Sequence, residues 1–188
     1  MMTLGNGLGQ VDAHEERLEV LEALLATDMR LGAPEENVLC VKNNISNCHA
    51  DLGRKDEALE IQREIYDRKC LLGSEHNEST LVSAANLAVS LHAFHRFAEC
   101  RSFALERIVD AERVLGAEHN LTVGFRKIYA VALCSNPEAT QSDTQLAIET
   151  LEGCVRMSRR VMGKTHPRTL EAERLLGRAR EQLAAYGD

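Results

Sequence analysis

Apolar positions in this chain recur at three- and four-residue spacings over long stretches, the periodicity of helices with one buried face. Leu39, Ile45, Cys48 and Leu52 form one such stripe over 38–52. Ala58, Leu59, Ile61, Ile65, Tyr66 and Leu72 form the next over 57–72. Leu81, Ala84, Ala85, Leu87, Ala88 and Leu91 continue the pattern over 80–93, and further helices are predicted over 97–115, 120–134, 144–162 and 167–185. The pattern predicts an all-α protein.

Between these helices the chain repeats its punctuation. The segments LGAPEENVL (31–39), LGSEHNEST (72–80), LGAEHNLTV (115–123) and MGKTHPRTL (162–170) each join an apolar residue and Gly to a short polar turn and a new helical start. Gly32, Gly73, Gly116 and Gly163 are spaced by 41, 43 and 47 residues. Glycine closes a helix in the left-handed conformation without a Cβ clash. Asn77 and Asn120 are predicted N-caps, and Pro167 suits a first helical position, where no partner awaits its missing N–H. A period in this range, with two helices per period, is that of a stacked repeat array.

The predicted organisation follows. Residues 1–10 are disordered or the remnant of a first helix, because Leu8-Gly9 resembles the helix end at Leu52-Gly53. Residues 11–31 are an unpaired second helix, expected to leave Leu18, Leu21, Leu24 and Leu25 partly uncovered. That end is expected to fray, to continue a longer array or to self-associate. Repeats occupy 34–73, 76–116 and 119–163, the last with an extended loop at 135–143 begun by Asn136-Pro137. A capping helix occupies 166–185, and 186–188 is a tail.

Composition narrows the function classes. Only three prolines and no tryptophan occur, in keeping with helix. The formal net charge of -7 disfavours nucleic acid and anionic membrane surfaces as partners. Acidic residues crowd the start (Asp12, Glu15, Glu16, Glu19, Glu22) and arginines the end (Arg156, Arg159, Arg160, Arg174, Arg178, Arg180). Such runs are most simply solvated helix faces, and the basic end is also a candidate contact for an acidic partner. Six cysteines without CxxC or Cys/His spacing read as small buried residues. With no secretory-type start, they point to the cytoplasm.

The quoted motifs carry a family resemblance. LGSEHNESTLVSAANLAVSL (72–91), LGAEHNLTVGFRKIYAVAL (115–133) and MGKTHPRTL (162–170) resemble the tetratricopeptide repeat in its longer, kinesin light chain-like form. His76, His119 and His166 recur in register, as do Thr80, Thr122 and Thr169. LGAPEENVL lacks the His and the Thr, Cys100 stands where Ala is usual, and Arg107 replaces a second packing Ala. The resemblance implies a right-handed superhelical α-solenoid of antiparallel helix pairs. It also implies a concave groove, lined by the first helices, that holds a partner's peptide segment. In that register Asn43, Asn47, Ala85, Asn86, Val89, His92, Lys127, Val131 and Cys134 face the groove, with Arg126 and Lys127 supplying its charge.

Chemistry has no visible apparatus in the sequence. The recurrent histidines come once per repeat, too far apart to share an ion, so they read as turn-stabilising residues. His92 and His95 lack a third ligand, and neither a GxSxG turn nor a glycine-rich phosphate loop occurs. The expectation is therefore no catalytic residue, no cofactor and no metal. It is a scaffold that binds a protein or peptide, with a structural or regulatory fragment of a larger repeat protein as the alternative.

Overall fold

The computed structural model describes residues 2–73 and 77–186, with side chains from residue 13 onward. Among these residues there are eight α-helices and no strand. They are α1 (Met2–Leu31), α2 (Glu35–Asp51), α3 (Lys55–Gly73), α4 (Glu78–Ala93), α5 (Phe97–Leu115), α6 (Asn120–Ser135), α7 (Gln141–Met162) and α8 (Pro167–Ala184). The expected helix end at Leu8-Gly9 does not occur, because α1 runs through it. Gly5, Gly7 and Gly9 each lower helix propensity by about 1 kcal/mol relative to Ala, and α1 includes all three. His76 and most of the tail at 186–188 lie outside the described residues. The chain divides into two compact units, Met1–Lys69 and Cys70–Asp188.

In the first unit α1 packs on α2 through Leu18, Val41, Ile45 and Cys48, flanked by Leu21, Leu25, Leu52 and Ile61. Leu18 is therefore buried, contrary to expectation; Leu21 and Leu25 are half-covered and Leu24 is exposed. A single neighbouring helix hides one stripe of α1 and leaves the adjacent one open. The α2–α3 contact is polar at its centre. Ser46 Oγ donates to the Ala58 carbonyl at 2.9 Å, while Gln62 Nε2 donates to Asn43 Oδ1 at 3.0 Å and to Ser46 Oγ at 3.1 Å. Ion pairs Glu35–Arg68, Glu36–Lys69 and Lys42–Glu64 flank it.

The second unit has an apolar core. Tyr129, Ala130 and Leu133 of α6, Ala147, Ile148, Leu151 and Val155 of α7, and Ala172, Leu176 and Ala179 of α8 form one buried cluster with Ala104 of α5. Small residues stand where helices cross closely. The fully buried Cys100 and Cys154 play this part, their thiols directed at the carbonyls of Ala88 (3.3 Å) and Val123 (3.9 Å). Burial pushes both thiols up to about 11, so at neutral pH they are inert protonated groups. Cys48 shares this character, whereas Cys40 is exposed and Cys70 and Cys134 are intermediate.

The connections from α5 to α6 and from α7 to α8 share one design. Gly116 (φ 90°, ψ 161°) and Gly163 (φ 89°, ψ 167°) end their helices in a region of backbone space that is essentially glycine-only. Six residues later Thr122 and Thr169 donate their hydroxyls back to the carbonyls of Gly116 and Gly163, each at 2.8 Å. His119 and His166 are the N-caps, accepting from the backbone N–H of Leu121 and Arg168 through Nδ1. The recurrent His and Thr are thus two halves of a turn clasp. Asn120, expected as an N-cap, is instead the first helical residue after His119, while Asn77 does cap α4 by accepting from Thr80 N–H at 2.7 Å. Gly73 is the last residue of α3 and does not take the positive φ expected of it.

The turns within helix pairs are more varied. His95 supplies the positive φ (65°) between α4 and α5 that Gly53 (φ 74°) supplies between α2 and α3. The loop expected over 135–143 is shorter, because Thr140 and Asp143 form a reciprocal capping box that starts α7 at Gln141. Thr140 holds the Asp143 carboxyl below its ordinary range, with Arg101 adding to the effect.

Candidate protein-binding face

The first helices α4, α6 and α8 of the second unit present matching faces in register. Val82, Asn86 and Val89 are exposed on α4, Val89 at 54%. The corresponding positions on α6 are Gly124, Ile128 and Val131, all half-buried, and on α8 they include Glu171, Leu175 and Arg178. A cleft of about 240 Å³ opens between the first half of α6, the start of α8, the end of α7 and the middle of α4, lined by Ala85, Leu121, Gly124, Lys127, Met162 and Arg168 among others. Gly124 helps to create it, since a Cβ added there would meet nothing within 4 Å.

Several candidate residues are held by side-chain contacts, and several are solvent-exposed. Asn43 accepts from Gln62 and so belongs to the α2–α3 contact. Lys127 pairs with Glu171, tying α6 to α8 along this face. Arg126 is not part of the groove charge as expected. Its guanidinium bonds Glu112 at 2.7 Å and the Ala117 carbonyl at 3.1 Å, on the side of α5. His92 Nε2 and Ser135 Oγ lie 3.0 Å apart, linking the ends of α4 and α6, and the imidazole meets the Phe97 ring edge-on. Asn47, Asn86 and Val89 are exposed. Arg168, Gly124 and Leu121 were missed by the sequence reading. An isolated glycine inside an apolar helical pattern was the available signal for Gly124.

Burial, reinforced by His95, holds His92 below its ordinary titration range. The unfolded chain therefore binds this proton first. The His92 contribution is fully present above the ordinary histidine pKa of about 6.5 and is lost as pH falls from there through the depressed folded value. The expected result is a urea midpoint that drops between pH 7 and pH 5, with a smaller drop in His92→Gln. Equal drops in the two proteins would assign the effect elsewhere.

Among the described residues no group of three or more His, Cys, Asp or Glu side chains could hold a metal ion, and no helix is long and apolar enough to cross a membrane.

Comparison with known proteins bears on the fold. Residues 41–78 match the family model for the tetratricopeptide repeat. Two crystal structures of kinesin light chain-type, nearly identical TPR-like repeats from Podosopora anserina share the fold, each at 21% identity. A variant form gives a TM-score of 0.74, covering 95% of this chain and 81% of that one, and the other gives 0.71, covering 95% and 82%. BtubC (BKLC) from P. vanneervenii gives 0.50 at 12% identity, covering 95% and 91%. No curated protein sequence matches the chain significantly. The fold is that of a tetratricopeptide array, in which antiparallel helix pairs recur along the chain. The chain is similar in fold to the repeats of both Podosopora structures.

Proposed function

We propose that this protein is a cytoplasmic scaffold whose first-helix face holds a peptide segment of a protein partner. The observation that carries this reading is the cleft between the first half of α6, the start of α8, the end of α7 and the middle of α4. Its floor is apolar and glycine-opened, and Arg168 stands at its edge with no ion pair among the described residues. Such a site fits an apolar side chain beside a carboxylate, the guanidinium fork matching the carboxylate in bidentate fashion. Val89 and Asn86 extend the face along α4, with Asn86 able to donate to and accept from a peptide backbone. Val131 continues it on α6. Asn47 is the corresponding open residue on α2 of the first unit. Six free cysteines accord with a reducing compartment.

Selection from a displayed peptide library against the purified protein tests the proposal. Selected peptides are expected to pair an apolar residue with a nearby Asp or Glu, and to lose about tenfold or more in affinity to Gly124→Trp and to Arg168→Glu, about 1.4 kcal/mol or more. Val109→Glu, on the exposed side of α5, should bind as the parent does. Peptides indifferent to the first two changes would place the binding surface elsewhere.

A further inference from the structure

A second recess lies at the opposite end of α6 from the cleft, between the turn that joins α4 to α5 and the turn that joins α6 to α7. It measures about 650 Å³, within the range of about 300–1,000 Å³ usual for ligand sites. His95, Phe97 and Ala98 line one side, and Asn136, Pro137 and Glu138 line the other.

Both walls are fixed by contacts of their own. The Phe97 ring lies between two imidazoles, its centroid 5.4 Å from that of His92 and 5.4 Å from that of His95, both in edge contact. His92 is anchored in turn by Ser135, 3.0 Å away. On the facing turn, Asn136 Oδ1 accepts from the Glu138 N–H at 3.1 Å, and the Asn136 carbonyl accepts from the Ala139 N–H at 2.9 Å. The Tyr186 hydroxyl donates to the Ala139 carbonyl at 2.6 Å. Walls already ordered in this way spare a ligand the cost of ordering them.

His95 is the unusual element. It holds φ at 65°, at the turn where Gly53 stands in the first helix pair, and among the described residues no other non-glycine residue has a positive φ. A Cβ makes that conformation unfavourable, and residues kept in it cluster at binding sites. The imidazole stands here on the recess wall, against Phe97.

Charge selects the ligand. Arg96 is neutralised by Glu99 at 2.8 Å, and Arg101, one turn into α5, by Asp143 at 3.0 Å. The Glu138 carboxylate has no partner among the described residues. An unpaired carboxylate beside aromatic and proline surfaces suits a guanidinium, which pairs with the one in bidentate fashion and stacks flat on the other. The compact, strongly hydrated ammonium of lysine does neither as well.

We propose that this recess binds an arginine side chain presented by an extended segment of a protein partner, the guanidinium paired with Glu138 and lying against Phe97, His95 and Pro137. The contact is separate from the cleft, which suits a carboxylate, so the two ends of α6 take segments of opposite charge.

An NMR titration of the isotope-labelled full chain with the peptide acetyl-Gly-Leu-Arg-Leu-Gly-amide tests the proposal. Saturable amide shifts are expected over 95–99 and 136–139. The same peptide with citrulline for arginine keeps the shape and loses the charge, and should bind about tenfold more weakly. Glu138→Gln should lose the same factor for the arginine peptide and nothing for the citrulline peptide. His95→Gly should unfold at the same or a higher temperature, because glycine accepts the turn without strain, yet bind the arginine peptide about threefold more weakly. Gly124→Trp, in the cleft, should leave the titration unchanged. Three results would overturn the proposal: neither set of amides shifting below about 10 mM peptide; equal affinity for the arginine and citrulline peptides; or a Glu138→Gln variant that binds as the parent does. Shifts centred instead on Leu121, Gly124 and Arg168 would also overturn it and place the peptide in the cleft.

Discussion

Leu151→Ala is expected to lower the stability of the second unit by about 2–5 kcal/mol. Leu151 is 1% exposed and belongs to the cluster that joins α6, α7 and α8. Removing its branched end forfeits the transfer free energy of the lost carbons and leaves a cavity that fixed helices cannot fill completely. The helices around it pack through Ala130, Ala147 and Ala172, which carry no side-chain length with which to relax inward. The upper part of the range is therefore expected. Repeat stability is close to a sum of unit and neighbour-interface contributions, so the loss should be read locally, as reduced amide protection over α6–α8, as well as from a urea midpoint. A decrease below about 1 kcal/mol, the usual scale of surface and minor packing changes, would contradict this account of the core.

Gly163→Ala is expected to cost about 1–3 kcal/mol for a different reason. A Cβ at this position meets nothing within 4 Å, so no packing clash contributes. The cost is torsional: φ 89° with ψ 167° is a region that even Asn, tolerant of the ordinary left-handed helical region, rarely enters. Gly163→Asn should therefore be no milder than Gly163→Ala, which separates this site from a left-handed helical cap. Thr169 would also lose the geometry in which its hydroxyl reaches the Gly163 carbonyl. Thermal unfolding of the two variants checks both points, and a stabilised Asn variant would refute the assignment of the backbone region.

The helix pairs were legible because their signals are local. Apolar periodicity, glycine at helix ends and the recurrent His and Thr at helix starts fixed both ends of five helices to within two residues, for example Phe97–Leu115 for α5. Errors arose where a polar helix beginning precedes the first apolar residue. Glu35 and Glu36 open α2 three residues ahead of Val38, favoured by the helix dipole, and Gln141 to Asp143 open α7 ahead of Thr144 through the capping box. Position in a repeat also says little about pairing. Register alone assigns Lys127 and His92 to the groove, and the side chains that fasten them, Glu171 and Ser135, come from a neighbouring helix some forty residues away. Arg126, adjacent in sequence to Lys127, turns to α5, because a step of one residue rotates a side chain about 100° around the helix.

The threonine clasp has a consequence for how such a chain can change length. From Gly116 to Thr122 and from Gly163 to Thr169 the interval is the same six residues, because the hydroxyl must reach one particular carbonyl. An added residue there would pull donor from acceptor and displace every helix that follows. The turn between α6 and α7 is not bound in that way; it lengthens locally while Thr140 restarts the helix wherever the chain returns. Insertions and grafted sequence therefore belong at the hairpin tip between paired helices. The joints between pairs act as fixed spacers that preserve the pitch of the array.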